Sequence, residues 1–220
     1  MQRLFDILFS GLALLVLSPL LLPIMLVLRL TGEGEVFYVQ ERLGRGGRPF
    51  GLYKFATMLK NSPNLGTGTV TVKGDPRVLP VGRFLRKTKL NELPQLLNIL
   101  KGDMSIIGPR PQTRRCFEAF PASSQAEIIK VRPGLSGVGS IVFRDEEELM
   151  HASQDPERFY DEVIMPYKGK LEEWYVANQS LRIYFACIAI TAFVVLNPRS
   201  GIVWKALYAL PEPPAGLGVR

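Results

Sequence analysis

The stretch from Phe5 to Leu28, FDILFSGLALLVLSPLLLPIMLVL, constrains this chain more than any other feature. Asp6 is its only charged residue. A helix of about 20 apolar residues crosses the hydrocarbon core of a bilayer, so a membrane is an expected partner. Three readings compete. A cleaved signal peptide is the weakest, because no small-residue cleavage site follows and the run leads directly into LRLTGEGEV. An ordinary spanning helix fits the length. A re-entrant helix, entering and leaving by one face, fits two further features. Ser18-Pro19 interrupts the middle of the run, where proline removes a backbone donor and kinks a helix, and Pro23 repeats the fault one turn later. Arg3 and Arg29 flank the two ends, and the positive-inside bias would hold both in the cytoplasm. Prolines also occur in spanning helices, so the residues alone leave the last two readings open.

A second apolar stretch, Ile183 to Leu196, is bounded by Arg182 and Asn197-Pro198. It is too short to span and suits a core helix or one lying in the interface. Ile202 to Tyr208 reads as a short amphipathic piece, with Trp204 and Tyr208 suited to the headgroup layer. The terminal PEPPAGLGVR reads as a flexible tail.

The net charge of +7 on 220 residues suits an anionic partner: nucleic acid, lipid headgroups or a phosphorylated substrate. No nucleic-acid module and no run of aromatics on a basic face occurs, so nucleic acid ranks last. Cys116 and Cys187 are the only cysteines and stand in no metal-ligand spacing, which argues against a zinc site or a disulfide framework and for a reducing compartment. His151 is the only histidine; beside an acidic run, it reads as a surface residue.

In the body of the chain, Val36 to Leu43 reads as a strand, Gly44 to Arg48 as a turn, and Pro49 to Phe55 as a return strand. The hairpin's Arg42, Arg45, Arg48 and Lys54 form either a solvated face or one that meets lipid phosphates. Asn61 to Arg77 reads as a loop, and its Gly66-Thr-Gly-Thr matches no phosphate-binding fingerprint. Leu93, Leu96, Leu97 and Leu100 then fall on one helix face, with Gly102 as a stop, Asn91 at the expected N-cap and Glu92 in the first turn. Arg77, Arg83, Arg86, Lys87, Lys89 and Arg110 crowd this helix start. They are either a solvated charged surface or, with the helix N-terminus, a phosphate site. Gly108-Pro-Arg-Pro is a stiff turn that would hold the Arg110 guanidinium in place. Arg132-Pro-Gly-Leu-Ser-Gly reads as a glycine-rich loop, Asp145-Glu-Glu-Glu as a solvated helix start, and Lys168 to Asn178 as a helix packed through Trp174-Tyr175. Asp103 and Asp145 are weak magnesium-ligand candidates. The fold class expected is α+β, predominantly helical, with a membrane helix over 1–30, a cytoplasmic and interfacial domain over 31–210 and a tail over 211–220.

The Ser-Pro within the apolar run, QERLGRGGRPFGLYKFATM, GDPRV, RKTKLNELPQLLNILKGDMSIIGPRP and RPGLSG together resemble the bacterial sugar transferase family, the monotopic phosphoglycosyl transferases. The resemblance runs from the N-terminus to about Leu196, and the block from Arg86 to Pro111 is its most specific part. It implies a re-entrant helix broken at Ser18-Pro19, Mg2+ dependence, a nucleotide-diphosphate-sugar donor (usually UDP-linked) and an undecaprenyl phosphate acceptor at the cytoplasmic face of the inner membrane. It further implies an Asp-Glu pair at the start of the LPQ helix, the Asp attacking the donor phosphate and the Glu assisting or holding metal. Glu92 matches the Glu, and Arg77 and Arg110 match phosphate-binding arginines. Two positions depart from the pattern: Asn91 stands where Asp is usual, and Ala56 where Arg is frequent. An amide is a poor nucleophile, so the covalent route is in question while the substrate class is less so. The site expected therefore comprises Glu92 and Asn91 as catalytic residues, Glu92 also holding metal, with Lys54, Arg77, Arg86 and Arg110 binding phosphates. A catalytically silent membrane-anchored phosphate-binding protein is the alternative, resting on Asn91. A homo-oligomer is compatible with either.

Overall fold

The computed structural model describes residues 1–64, 75–151, 153–197, 200–215 and 217–219. The Gly66-Thr-Gly-Thr loop and the His151 side chain lie outside the described residues. The fold is α+β and predominantly helical, as the sequence indicates.

Helix α1 (Gln2–Leu30) runs without interruption through Pro19 and Pro23. The break expected at Ser18-Pro19 is therefore not an unwinding of the helix. Pro19 lacks the amide that would donate to the Leu15 carbonyl, and the Ser18 hydroxyl donates to that carbonyl instead, at 2.7 Å. Strands β1 (Phe37–Leu43) and β2 (Pro49–Phe55) form the expected hairpin. Their connection is a 3-10 turn at Arg45–Gly47, where Gly46 and Gly47 take φ of +71° and +69°. Helices α2 (Pro80–Lys87) and α3 (Gln95–Lys101) flank a 3-10 turn at Leu90–Glu92. Beyond them lie β3 (Ser105–Ile107), α4 (Arg114–Glu118), α5 (Ala122–Ile128), β4 (Gly134–Ser136), α6 (Val138–Val142), α7 (Glu146–His151) and α8 (Pro156–Phe159). A π-type turn leads into α9 (Met165–Ala177), followed by α10 (Leu181–Leu196) and α11 (Ile202–Ala206).

Two compact units assemble from separated stretches of chain. One combines Ile7–Glu41 with Gly51–Lys101. Its core is Leu21, Leu28, Phe55 and Leu85, joined by Leu14, Leu17, Ile24, Met25, Val36, Val81, Leu90 and Leu93. The α1 members recur every three or four residues, so one stripe of the helix is internal. The other stripe, including Leu12, Leu15, Val16, Leu22 and Leu26, is exposed. An outward apolar surface of that length calls for a non-aqueous neighbour, and α1 has the length and hydropathy to cross a membrane.

The second unit combines Met1–Asp6, Arg42–Phe50 and Gly102–Arg220. Here β3 and β4 pair in parallel, Ser105 with Gly134 and Ile107 with Ser136. The Arg132-Pro-Gly stretch, expected as a loop, thus enters a strand, too short to show an alternating pattern. Its Gly134 lies so close to Gly108 that a Cβ would sit 2.1 Å from the Gly108 nitrogen. The interior holds Ile164, Met165, Leu171, Tyr175 and Cys187. Helix α10 buries Tyr184, Cys187, Ile190 and Val194 and exposes Phe185, Phe193, Val195 and Leu196, an apolar helix half inside and half outside. In the segment read as a flexible tail, Pro211 accepts a hydrogen bond from the Tyr167 hydroxyl at 2.8 Å, and Leu217 is buried.

Candidate active site

Four of the expected site residues fall on a short stretch of the first unit between β2 and α3: Arg77, Arg86, Asn91 and Glu92; Lys54 lies on β2 of the same unit. The geometry starts from a tight seam. Met58 bridges to Val78, the Leu79 amide donates to the Thr57 carbonyl at 3.0 Å, and Leu59 donates to Arg77 at 3.0 Å. Helix α2 lies directly on this seam because Gly82 has no side chain; a Cβ there would stand 2.1 Å from the Thr57 oxygen. Helix α3 is fixed to the hairpin by Asn98, wholly buried, whose amide accepts from the Tyr53 N–H at 2.9 Å and donates to the Gly51 carbonyl at 2.8 Å.

Between these helices the chain turns sharply. Lys89 adopts the left-handed conformation, φ +59°, which a lysine rarely takes. The Glu92 amide then donates back to the Lys89 carbonyl at 3.1 Å and the Leu93 amide to Leu90 at 3.2 Å. Asn91 is therefore in the middle of a 3-10 turn rather than the N-cap of an α-helix, and α3 begins only at Gln95. Pro94 has no amide to donate back along the chain, so the hydrogen-bond ladder is interrupted there even though Leu93 keeps helical backbone, φ −57° and ψ −32°. Glu92 consequently lies outside the first turn of α3. Asn91 is only 8% exposed, and its Oδ1 has no hydrogen-bond partner. One turn on, the buried Nε2 of Gln95 is likewise unsatisfied. Orphaned buried polar atoms are costly and mark sites completed by something else. Glu92 is half-buried, as are Lys54 and Arg86, and the Arg86 guanidinium rests on the Met58 sulfur at 3.7 Å.

Arg77 is placed differently from the expectation. It is 5% exposed, and its guanidinium donates to both carboxylate oxygens of Asp75, Nε at 2.9 Å and Nη2 at 2.6 Å, and through Nη1 to the Ser62 carbonyl at 2.7 Å. The hydrogen-bonded Asp75 carboxylate raises the guanidinium pKa above its ordinary value. This forked pair is buried and braces the seam.

Arg110 belongs to the other unit. Its turn is clamped by backbone bonds from Gly108 to Ser136 at 2.9 Å and from Gly134 to Pro109 at 2.8 Å, while the Tyr175 hydroxyl donates to Ile107 at 3.0 Å. The Arg110 backbone also hydrogen-bonds the Glu172 carboxylate. Glu172 is 1% exposed and its Oε2 is unpartnered. Burial pushes its pKa up to about 7, against the opposing pull of the Lys168 charge. Lys168 is itself buried and pairs with Glu146 at 2.7 Å. Gly139 makes room for this group, since a Cβ would lie 2.3 Å from Glu172 Oε1. The buried Lys168 and Glu172 sit in the helix expected to pack through Trp174-Tyr175, and nothing in the sequence marks these two charged residues as interior.

Among the described residues no cluster of three or more His, Cys, Asp or Glu side chains could hold a metal. Mg2+ rarely needs one: it keeps several waters and is bound by one or two carboxylates together with substrate phosphates. The Glu92 carboxylate, next in sequence to the orphaned Asn91 Oδ1, fits that mode.

The pattern of the bacterial sugar transferase family matches residues 1–198. A UDP-N-acetylgalactosamine-undecaprenyl-phosphate N-acetylgalactosaminephosphotransferase from Aeromonas hydrophila is 41% identical over 143 residues, 64% of this chain and 34% of that protein. The exopolysaccharide production protein ExoY of Sinorhizobium fredii is 38% identical over 66% of this chain and 70% of its own length. The undecaprenyl-phosphate galactose phosphotransferase of Salmonella typhimurium is 34% identical over 90% of this chain. The chain spans only 40% of that last relative and about a third of the first. With nearly its whole length matched, the chain belongs to the bacterial sugar transferase family.

Proposed function

We propose that this protein transfers a sugar-1-phosphate from a nucleotide-diphosphate sugar, UDP-linked, to undecaprenyl phosphate at the cytoplasmic face of the inner membrane, initiating a polysaccharide or glycoconjugate. One observation carries the proposal. Leu90 and Leu93, which bracket Asn91-Glu92, pack into the same apolar cluster as Leu21 and Leu28 of α1, the helix whose outer stripe is apolar and exposed. The carboxylate thus stands beside the element that meets lipid, where a polyprenyl phosphate presents its headgroup.

The same packing supports the re-entrant topology. The α1 residues from Leu14 to Leu28 share one apolar cluster with Val81 and Leu85 of α2, the helix that carries Arg83, Arg86 and Lys87. A spanning α1 would draw those cations to bilayer depth, at a cost of several kcal/mol.

In the reaction, Arg86 and Lys54 offset the charge of the donor diphosphate. An oxygen of the lipid phosphate attacks the sugar-bearing phosphorus of the donor; the new P–O bond forms as the bond to the nucleoside monophosphate breaks, giving lipid diphosphate-sugar and UMP. An ionised phosphate needs no general base. Asn91 has no carboxylate to take the place of the acceptor as nucleophile. Glu92 and Asn91 Oδ1 are the groups that would hold Mg2+, which when bound supplies charge neutralisation to the diphosphate. The stiff Gly108-Pro-Arg-Pro turn suits Arg110 to bidentate phosphate binding.

The test is transfer from a panel of labelled nucleotide sugars to undecaprenyl phosphate in nanodiscs with Mg2+. Lipid-linked product with UMP release is the expected result. No transfer from any donor, with the protein correctly inserted, would favour the silent phosphate-binding reading that Asn91 invites.

A further inference from the structure

Within the second unit, a cleft of about 190 Å³ opens at the first turn of α1. Its cationic walls are Arg3, Arg45, Arg132 and Lys130, the last paired with Glu127, with Gln2 and Gln179 contributing amides. None of these residues belongs to the set proposed for phosphosugar transfer. The one acid in the lining, Asp6, is 1% exposed, and its Oδ1 already accepts from the Ser105 hydroxyl at 2.9 Å, the Ile106 amide at 3.0 Å and the Tyr184 hydroxyl at 3.0 Å. Three donors of the interior thus already engage that oxygen.

The two best-placed guanidiniums are oriented through one nitrogen each. Arg45 donates from Nε to the Lys130 carbonyl at 3.1 Å, and Arg132 from Nε to the Gly102 carbonyl at 2.9 Å. Neither makes another hydrogen bond among the described residues, so their terminal Nη groups remain for a ligand. The hairpin tip that carries Arg45 is itself held, through the Gly46 amide to the Ile129 carbonyl at 2.7 Å. Gln2 is likewise fixed, donating to Ser105 at 2.9 Å and accepting from Gln179 at 3.2 Å. Forked donors locked before the ligand arrives match a tetrahedral oxyanion, and the partial positive charge at the start of a 29-residue helix adds to them. Leu4, on the same first turn, is exposed and apolar, which suits a cleft that meets the membrane surface.

We infer that this cleft binds a phosphate ester group, the headgroup phosphate of an anionic phospholipid, and so anchors the start of α1 at the membrane surface. The cleft takes phosphate by charge and fork geometry; the exposed Leu4 on the same turn favours the lipid.

The full-length protein in a neutral maltoside detergent tests this by thermal shift, titrated separately with short-chain phosphatidylglycerol, short-chain phosphatidylcholine and inorganic phosphate. Phosphatidylglycerol should raise the unfolding midpoint at about tenfold lower concentration than either of the others, and R45Q should weaken that response by about tenfold. Because Arg132 also braces Gly102, R132Q is read only in a form whose unliganded midpoint is unchanged, and Arg45, exposed at the hairpin tip, is the primary variant. Equal response to inorganic phosphate and phosphatidylglycerol would overturn the lipid source. A response identical in R45Q, or none with any of the three probes, would overturn the site.

Discussion

Arg77 and Asp75 face each other as a forked ion pair, Nε and Nη2 of the arginine at 2.9 and 2.6 Å from the two carboxylate oxygens, with both side chains shut away from solvent. The pair sits at the seam that carries α2 and braces it. Asp75→Ala leaves a buried guanidinium without its counter-charge. It should lower the thermal midpoint more than the double substitution Asp75→Ala/Arg77→Met, in which no charge is stranded. Thermal unfolding of the three proteins in detergent checks this; a double variant less stable than the single would contradict it.

The hydroxyl of Ser18 repairs the carbonyl that Pro19 orphans. Ser18→Ala should cost about 0.5–1.5 kcal/mol, and Pro19→Leu should restore the amide and shift molecules toward a spanning topology. Single cysteines at Gln2 and Thr31 report that topology. In the parent protein both should resist an impermeant thiol reagent applied from the periplasm, and labelling at Gln2 alone would establish a spanning helix.

Glu172 gives a pH prediction. Its folded pKa of about 7 lies above the ordinary carboxylate value of 4.5, so the folded state binds the extra proton between those limits. Its contribution is full below pH 4.5 and is lost as pH rises to 7, on the order of 3 kcal/mol in all. Glu172→Gln should remove that part of the slope, gaining relative to the parent as pH rises from 5 to 8. Denaturant midpoints across that range measure it; parallel pH profiles for the two proteins would refute the assignment.

Arg110 is held in a turn clamped at Gly108, Pro109 and Glu172. Its value to phosphate is the planar fork, which lysine lacks. Arg110→Lys should reduce transfer nearly as much as Arg110→Ala, with insertion unchanged. A lysine variant with parental kinetics would reduce Arg110 to a surface charge.

The hairpin was legible because Gly44 to Arg48 separates two strand-like runs, and α3 because its leucines keep helical spacing up to Gly102. The turn at Lys89 was not, since nothing in a lysine announces a left-handed backbone; Pro94 was the overlooked signal that α3 starts late. Strands β3 and β4 are each three residues long, too short for a period, and pair across distant sequence. The motif names Arg77 but not its partner, because spacing does not show the carboxylate that burial presses against it. For Lys168 and Glu172 the burial comes from Gly139, whose missing side chain opens the space they fill.

The central claim is that Glu92 is the essential carboxylate of phosphosugar transfer. Its most direct test is transfer by Glu92→Gln beside Asn91→Ala, in nanodiscs with Mg2+ and the donor that supports activity, with intact-protein mass spectrometry of the parent given donor alone. Glu92→Gln should abolish lipid-linked product while Asn91→Ala retains a measurable rate, and the parent should show no phosphosugar adduct, in keeping with direct attack by the lipid phosphate. An adduct on Glu92 would replace that route with a covalent one, and full activity in Glu92→Gln would contradict the account.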